Sequence, residues 1–434
     1  MQLRINKKSI IRILSRAFLL LVLIAAVFYY LLTKDTAPEA SGPTSVTDHR
    51  ELPRLQANAT LIADGLSAPW GMDWLPGGKL LITERHGALI QLSPETGAGK
   101  RSVITGVPKV FAGGQGGLLD VTVHPDFESN RFIYLSYSAG TGESNRLKIL
   151  RAQFNGTALE NSEVIFEVAQ SKTGGQHYGS RFTWLPDGTL LCSIGDGGNP
   201  PTQYKGELIR KQAQNLNAHF GKIIRIHDDG RIPADNPFVG RPDARSEIWS
   251  LGHRNIQGMA YDEQHGRVFA SEHGSKGGDE VNIITAGANY GWPLTTYSTE
   301  YNIWGSSISE QQSLPDMQDP IAVWTPSIAP SGLVYYTGNH YGDWQDSLFL
   351  AAMVLRSDTS IMAYASLPAG AIIRMKVDSS GQSHSQELIN LGPYRIRDIA
   401  QGPDDFLYVL TTPANTEKNS AVKTGALLRI EPAK

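Results

Sequence analysis

The stretch FTWLPDGTLLCSIGDG, Phe182 to Gly197, decides the fold. One apolar run ends at Pro186-Asp187-Gly188 and a second begins at once. Proline fixes φ and glycine supplies positive φ, which is what a tight reversal needs, so the stretch reads as a β-hairpin. Five other segments share the rhythm: MDWLPGGKLLITE from Met72, VTVHPDFESNRFIYLSY from Val121, MAYDEQHGRVFASEHG from Met259, LVYYTGNHYGDWQDSLFLAAM from Leu333 and IAQGPDDFLYVLTT from Ile399. Their spacing runs from 49 residues (Met72 to Val121) to 77 (Phe182 to Met259), so the unit recurs while its connections vary. A hairpin of this size cannot bury its own face, and radial repetition around an axis solves that problem. The reading is all-β, a six-bladed β-propeller over residues 59–434. A β-sandwich accounts less well for six similar units.

The composition fits this class. Among 434 residues there are 44 glycines and 24 prolines, as many turns and few long helices require. The net charge of -3 gives no reason to expect nucleic acid as a partner. Cys192 is the single cysteine, so no intrachain disulfide can form. The N-terminus stands apart. Arg4, Lys7, Lys8, Arg12 and Arg16 precede the uncharged run Ala17 to Leu32. With no small-x-small site close behind it, that run reads as an uncleaved signal anchor within residues 1–34, rather than a cleaved signal. The basic flank stays in the cytoplasm and the remainder crosses, which places the propeller in the cell envelope, on the periplasmic side. Residues 35–58, with TAPEASGPTS, read as a flexible tether.

Propellers place their sites where inner-strand loops converge, so the segments flanking the hairpins matter most. GGQHYGSRF, Gly174 to Phe182, puts His177 just before the third hairpin, and Asp196 follows that hairpin. A carboxylate on one imidazole nitrogen makes the other a better base; a solvated loop histidine is the bland alternative. GHRNIQG presents Arg254 beside Asn255, and YRIRD presents Arg395 and Arg397 on one side of a strand. Arginine forks suit carboxylates, although inter-blade salt bridges use them too. SEHGSKGGDEVN joins a glycine-rich turn to Asp279 and Glu280, oxygen donors of the kind calcium takes, or an ordinary acidic turn. GGQGGLL offers Gln115 in a close-approach loop that lacks the lysine of a phosphate loop. TPSIAPSGL is an extended, proline-fixed wall segment.

Together these segments resemble the soluble quinoprotein sugar dehydrogenases, the PQQ-dependent aldose and glucose dehydrogenase family, over roughly residues 60–432. The runs that carry the resemblance, in chain order, are APWGMDWLPGGKLLITER, GQGGLLDVTVHPDF, SIGDGG, GHRNIQGMAY, GANYGWP and YRIRDI. The resemblance implies a six-bladed propeller that oxidises aldoses at C1 to the lactone. His177 matches the general base and Asp196 its partner. Gln115, Arg254, Asn255, Tyr297, Ala329, Pro330, Arg395 and Arg397 match positions around PQQ. Gly274 and Ser275 match carbonyl ligands of the cofactor's calcium, and Glu280 and Tyr290 a further calcium site. The implied partners are an aldose and an external electron acceptor, whether quinone, cytochrome or dye, with the membrane reached through the N-terminal anchor.

The chain departs from the family pattern at three places. Val354 stands where the family usually has a lysine, with Arg356 two residues on. Gln176 replaces the acid that often precedes the histidine, and GGNPPTQ follows Asp196 in place of a polar, often basic segment. The lysine change motivates a rival reading, a non-catalytic propeller that binds carbohydrate or protein without the cofactor.

Overall fold

The computed structural model describes residues 44–94, 100–198, 202–360, 369–412 and 424–433. Each of the six hairpins forms the two innermost strands of one antiparallel sheet: Pro69–Trp74 with Leu80–Glu84, Leu118–Val123 with Phe132–Gly140, Phe182–Trp184 with Leu190–Ile194, Ile256–Asp262 with Arg267–Glu272, Pro330–Tyr336 with Ser347–Ala352, and Arg395–Gln401 with Leu407–Thr412. In the third, the amide of Gly188 donates to the Leu185 carbonyl at 3.0 Å, while Asp187 Oδ1 accepts from the Thr189 amide at 2.9 Å. Gly188 sits at φ +78°, the conformation the P-D-G turn requires.

Two further strands complete each blade, and the inner strands touch their neighbours around a closed ring, from the sixth back to the first. The six-bladed propeller is therefore the observed architecture. Apolar faces of adjacent sheets make the core, as where Leu81, Leu89 and Ile104 of blade 1 meet Leu118, Val121 and Leu135 of blade 2. Ring closure comes from the start of the chain. Ala57–Leu66 pairs antiparallel with Gly425–Pro432 and supplies the outer strand of blade 6.

Residues 46–55, expected as part of the tether, are instead seated on the propeller. Val46–Thr47 runs parallel to Val323–Trp324 on blade 4, and Arg54–Leu55 runs parallel to Leu388–Ile389 on blade 5. Unpaired sheet edges attract partners, and these short strands cover two of them. The anchor expected within residues 1–34 lies outside the described residues. Among the described residues no helix is long and apolar enough to cross a membrane.

A buried ion cluster crosses the axis. Arg181 Nη1 donates to Asp120 Oδ1 at 3.0 Å and Arg181 Nη2 meets Asp398 Oδ1 at 3.1 Å, while Arg181 Nε donates to the Gln257 carbonyl at 2.9 Å. Blades 2, 3, 4 and 6 are thereby joined through one guanidinium.

Candidate active site

Nearer the N-terminal ends of the inner strands, all six blades contribute to one axial cavity of about 340 Å³. Gln115, Asn255, Arg395 and Arg397 line it, together with Trp70, Arg85, His273 and Met353. Tyr178 and Gly179 also line it, so the segment after His177 forms part of the wall.

His177 Nδ1 lies 2.6 Å from Asp196 Oδ1, and both side chains are almost wholly buried, at 3% and 0% exposure. Asp196 is held on its remaining sides as well. The indole Nε1 of Trp292 donates to Asp196 Oδ2 at 2.8 Å, and the Gly198 amide donates to Oδ1 at 3.1 Å. Burial alone would raise the Asp196 carboxyl, but His177, Arg254 and the Gly198 amide outweigh it and hold it below its ordinary value. The His177 imidazole lies below its own usual range, through burial first and the Arg254 charge second, against the pull of Asp196.

The backbone at this point is unusual. His177 has φ +45° and its amide donates to Gln115 Oε1 at 2.9 Å. The loops around it are glycine-rich because they pack on each other: a Cβ on Gly175 would stand 2.2 Å from the Gly113 carbonyl oxygen, and the Gln115 amide donates to the Gly175 carbonyl at 2.6 Å. A strained residue held from several sides is a common feature of functional sites.

The arginines differ from those of an inter-blade salt bridge. The Nε atoms of Arg254, Arg395 and Arg397 are all buried without a hydrogen-bond partner. Arg397 uses Nη2 on Gln257 Oε1 at 2.9 Å and lies over Trp70, 4.3 Å from the ring centre. Burial, then the Arg181 charge, brings its value down to about 9. Arg395 is lowered as well, by burial and by Arg356. Arg356 thus lies within electrostatic reach of the cavity, close to buried Val354. Arg254 lines two narrow clefts beside the cavity, with its Nη1 donating to the His273 carbonyl at 3.1 Å.

One of those clefts gathers Gly274, Glu280 and Tyr290 with Glu272 and Trp292; the other holds Ser275. Glu272 and Glu280 are opposed across adjacent strands, and the nearby Asn282 Oδ1 is buried without a partner. Burial, then the Glu272 charge, pushes the Glu280 carboxyl well up. Asp279 is committed elsewhere: it accepts from the Gly274 amide at 2.9 Å, the Ser327 hydroxyl at 2.7 Å and the Ile328 and Ala329 amides at 2.8 and 2.9 Å. That carboxylate positions the Gly274 loop and Ala329, which has φ +51°. Pro330 accepts from the His273 ring through its carbonyl. Tyr297 does not line the cavity; its hydroxyl is buried on the side of Asp319 and Glu280.

Residues 66–422 match the sequence profile described as Glucose / Sorbosone dehydrogenase. The chain belongs to the glucose/sorbosone dehydrogenase family. Within it, the chain is 48% identical over 398 residues to the uncharacterized protein slr1608 of Synechocystis, covering 90% of each. It is 33% identical over 380 residues to aldose sugar dehydrogenase YliI of Escherichia coli, covering 86% of this chain and 93% of that one. Among solved structures, the PQQ-bound form of aldose sugar dehydrogenase from Streptomyces coelicolor aligns with a TM-score of 0.67 and 26% identity, covering 87% and 99%.

Several residues of this glucose/sorbosone dehydrogenase site escaped the sequence reading. Trp292 lies in GANYGWP, with nothing in that run to show that it reaches Asp196 from another blade. Lys172 is a second case. It is buried with its Nζ 4.1 Å from the Tyr178 ring centre, and burial brings its ammonium down to about 7. His273 and Arg85 line the cavity, and their signal was only their place at the ends of second strands.

Proposed function

We propose that this chain is a PQQ- and calcium-dependent aldose dehydrogenase that oxidises the C1 hydroxyl of a sugar to the lactone. The observation that carries this reading is the buried His177–Asp196 pair, bonded at 2.6 Å beside a cavity whose arginines keep unpartnered donors. With Nδ1 committed to an ionised carboxylate, His177 has Nε2 free to accept the proton of the C1 hydroxyl. Asp196 then stabilises the imidazolium, while Trp292 and the Gly198 amide keep the carboxylate oriented. Gln115 fixes the loop through the His177 amide. PQQ supplies, when bound, the two-electron acceptor for the C1 hydrogen, and calcium the Lewis acid that activates that acceptor.

The residues fit both groups. A tricarboxylate answers the Nε donors of Arg254, Arg395 and Arg397, which are buried without a protein partner. Arg356, two residues beyond Val354, adds positive charge near Arg395. For calcium, the loop of Gly274 and Ser275 is pinned by Asp279 and by Ser298 Oγ. Ionised together, Glu272 and Glu280 would repel one another, and either a proton on Glu280 or a cation beside the pair relieves that. Among the described residues no three His, Cys, Asp or Glu side chains converge, so carbonyl oxygens would supply much of the shell. Glu280, Asn282 and the Tyr290 carbonyl are the donors proposed for the second ion.

The electrons leave to a quinone, cytochrome or dye, and the N-terminal anchor holds the propeller on the outer side of the cytoplasmic membrane. The test is reconstitution of the protein with PQQ and calcium, followed by dye reduction with several aldoses. His177→Ala should lose about 10² to 10⁴ in rate, the usual contribution of a positioned base, and still retain PQQ. No cofactor spectrum and no turnover in the unmutated protein would overturn the reading in favour of a binding propeller.

A further inference from the structure

Among the described residues, the two most exposed large apolar side chains are Trp304, 84% exposed, and its neighbour Ile303, 72% exposed. Single exposed apolar side chains are ordinary, but contiguous ones can mark a site, and these two are neighbours. They occupy the tip of a small hairpin, closed by the Thr299–Ser307 bridge and by the Glu300 amide donating to the Ser306 carbonyl at 2.8 Å. Asn302 fixes the tip: its Oδ1 accepts from the Trp304 amide at 3.0 Å and the Ser306 amide at 3.2 Å, and its Nδ2 donates to Ser306 Oγ at 3.1 Å. The indole is thus presented to water by an ordered turn, which lowers the cost of binding.

The base of the hairpin belongs to the active site. Thr299 bridges to Lys276, next to Ser275. Glu300 pairs with Arg210 and shares a cleft with Arg254, Ser275 and Trp292, the tryptophan that holds Asp196. The Tyr301 hydroxyl bonds to Arg254. Trp304 lies three residues beyond Tyr301, in the turn that the Asn302 side chain closes.

The chemistry of the tip selects its occupant. From Thr295 to Ser309 the one charged residue is Glu300, and Arg210 neutralises it; hydroxyl and amide side chains make up most of the rest. One cation from outside the stretch, Lys276, reaches the tip, but it is buried, with Nζ 3.5 Å from the Asn302 carbonyl. A lipid surface is met by apolar groups mixed with lysine and arginine, and a charged protein partner by opposite charge. A hydroxyl-rich rim around an indole, with its one lysine buried, suits a neutral sugar, whose C–H face lies on the ring while its hydroxyls bond to side chains such as Asn302 and Ser306. We propose that the Ile303–Trp304 tip is a distal subsite for oligosaccharide aldoses, with the reducing-end sugar at His177 and a following unit on Trp304. This rests on the sugar dehydrogenase reading of the site.

The test titrates the full chain, without added cofactor, with glucose, maltotriose and cellotriose by calorimetry, and then compares kcat/KM on the same sugars after reconstitution. The unmutated protein should bind at least one trisaccharide more tightly than glucose. In Trp304→Ala the trisaccharide-to-glucose ratio of affinities, and of kcat/KM, should fall about tenfold, the scale of one lost aromatic contact. Ile303→Ser should lower it less. An unchanged ratio overturns the proposal. So does a Trp304→Ala protein that loses binding to neutral or anionic vesicles while keeping its trisaccharide affinity, because the tip would then serve a lipid surface. If no aldose is oxidised at all, the activity reading fails, and the calorimetric ratio still decides the subsite.

Discussion

Arg181 and Arg397 lie against the same indole, 4.7 and 4.3 Å from the ring centre of Trp70, and both are buried. Their surroundings are opposite. Arg181 sits between Asp120 and Asp398, and although burial works against its charge, those carboxylates raise its value. Arg397 has a neutral amide and a thioether for partners, Gln257 Oε1 and Met353 Sδ, with one nitrogen unsatisfied. A buried charge persists only where something pays for its lost hydration. For Arg181 that something is inside the fold, and the result is a joint between blades. For Arg397 the chain supplies only the Asp398 charge at a distance and the Trp70 ring, with no ion pair among the described residues, which suits the anionic ligand proposed above. Burial alone would have classed both as structural.

Removing each guanidinium should separate the two roles. Arg181→Met strands two carboxylates in the interior, and loss of one partner from such a cluster typically costs about 3–5 kcal/mol. Chemical unfolding should show that loss with or without the cofactor. Arg397→Met removes a charge with no direct ion pair, on which Asp398 acts only at a distance, so the unfolding free energy of the cofactor-free protein should change by no more than about 1 kcal/mol. Its PQQ affinity should weaken by about 2 kcal/mol, roughly thirtyfold, the worth of one charge-assisted hydrogen bond. An Arg397→Met protein as unstable as Arg181→Met would erase the distinction.

The same contrast explains what the sequence disclosed. Each blade hairpin was legible because turn chemistry and apolar alternation act within about twenty residues. The closing strand Ala57–Leu66 was not, since its partner Gly425–Pro432 lies at the other end of the chain and no local pattern links them. His177 and Asp196 could be paired because they flank one hairpin. Trp292 reaches Asp196 from another blade, which spacing does not reveal. The glycines of GGQGG read as a close-approach loop, whereas much of the approach is that of the Gly175 loop packing against them. Tyr297 was grouped with the cofactor contacts, and its hydroxyl lies toward Glu280 instead. The arginines were recognised by type, but only the lack of an ion-paired carboxylate, among the described residues, sets Arg254, Arg395 and Arg397 apart from Arg181.

Lys172 extends the comparison to a third buried cation, and the effect expected there is the smallest. Its Nζ has the Gly174 carbonyl at 3.4 Å and the Tyr178 ring, while Asp196 acts on it electrostatically without a direct bond. The charged and titratable groups facing the dyad are Arg254, Lys172 and His273. His177 must be neutral to act as base, so kcat/KM should rise with pH through an apparent value below about 6.5, the ordinary imidazole figure. Lys172, at about 7, is charged across that limb. Lys172→Met removes a positive charge that opposes protonation of His177, so the limb should move to higher pH by a fraction of a unit. Stability supplies a second sign. The unfolded lysine, near 10.5, binds its proton more tightly than the folded one, so this group makes stability rise with pH between about 7 and 10.5. Lys172→Met should flatten that slope. A limb that stays in place while the slope flattens would make Lys172 a buried cation like the others in energy, but without influence on the base.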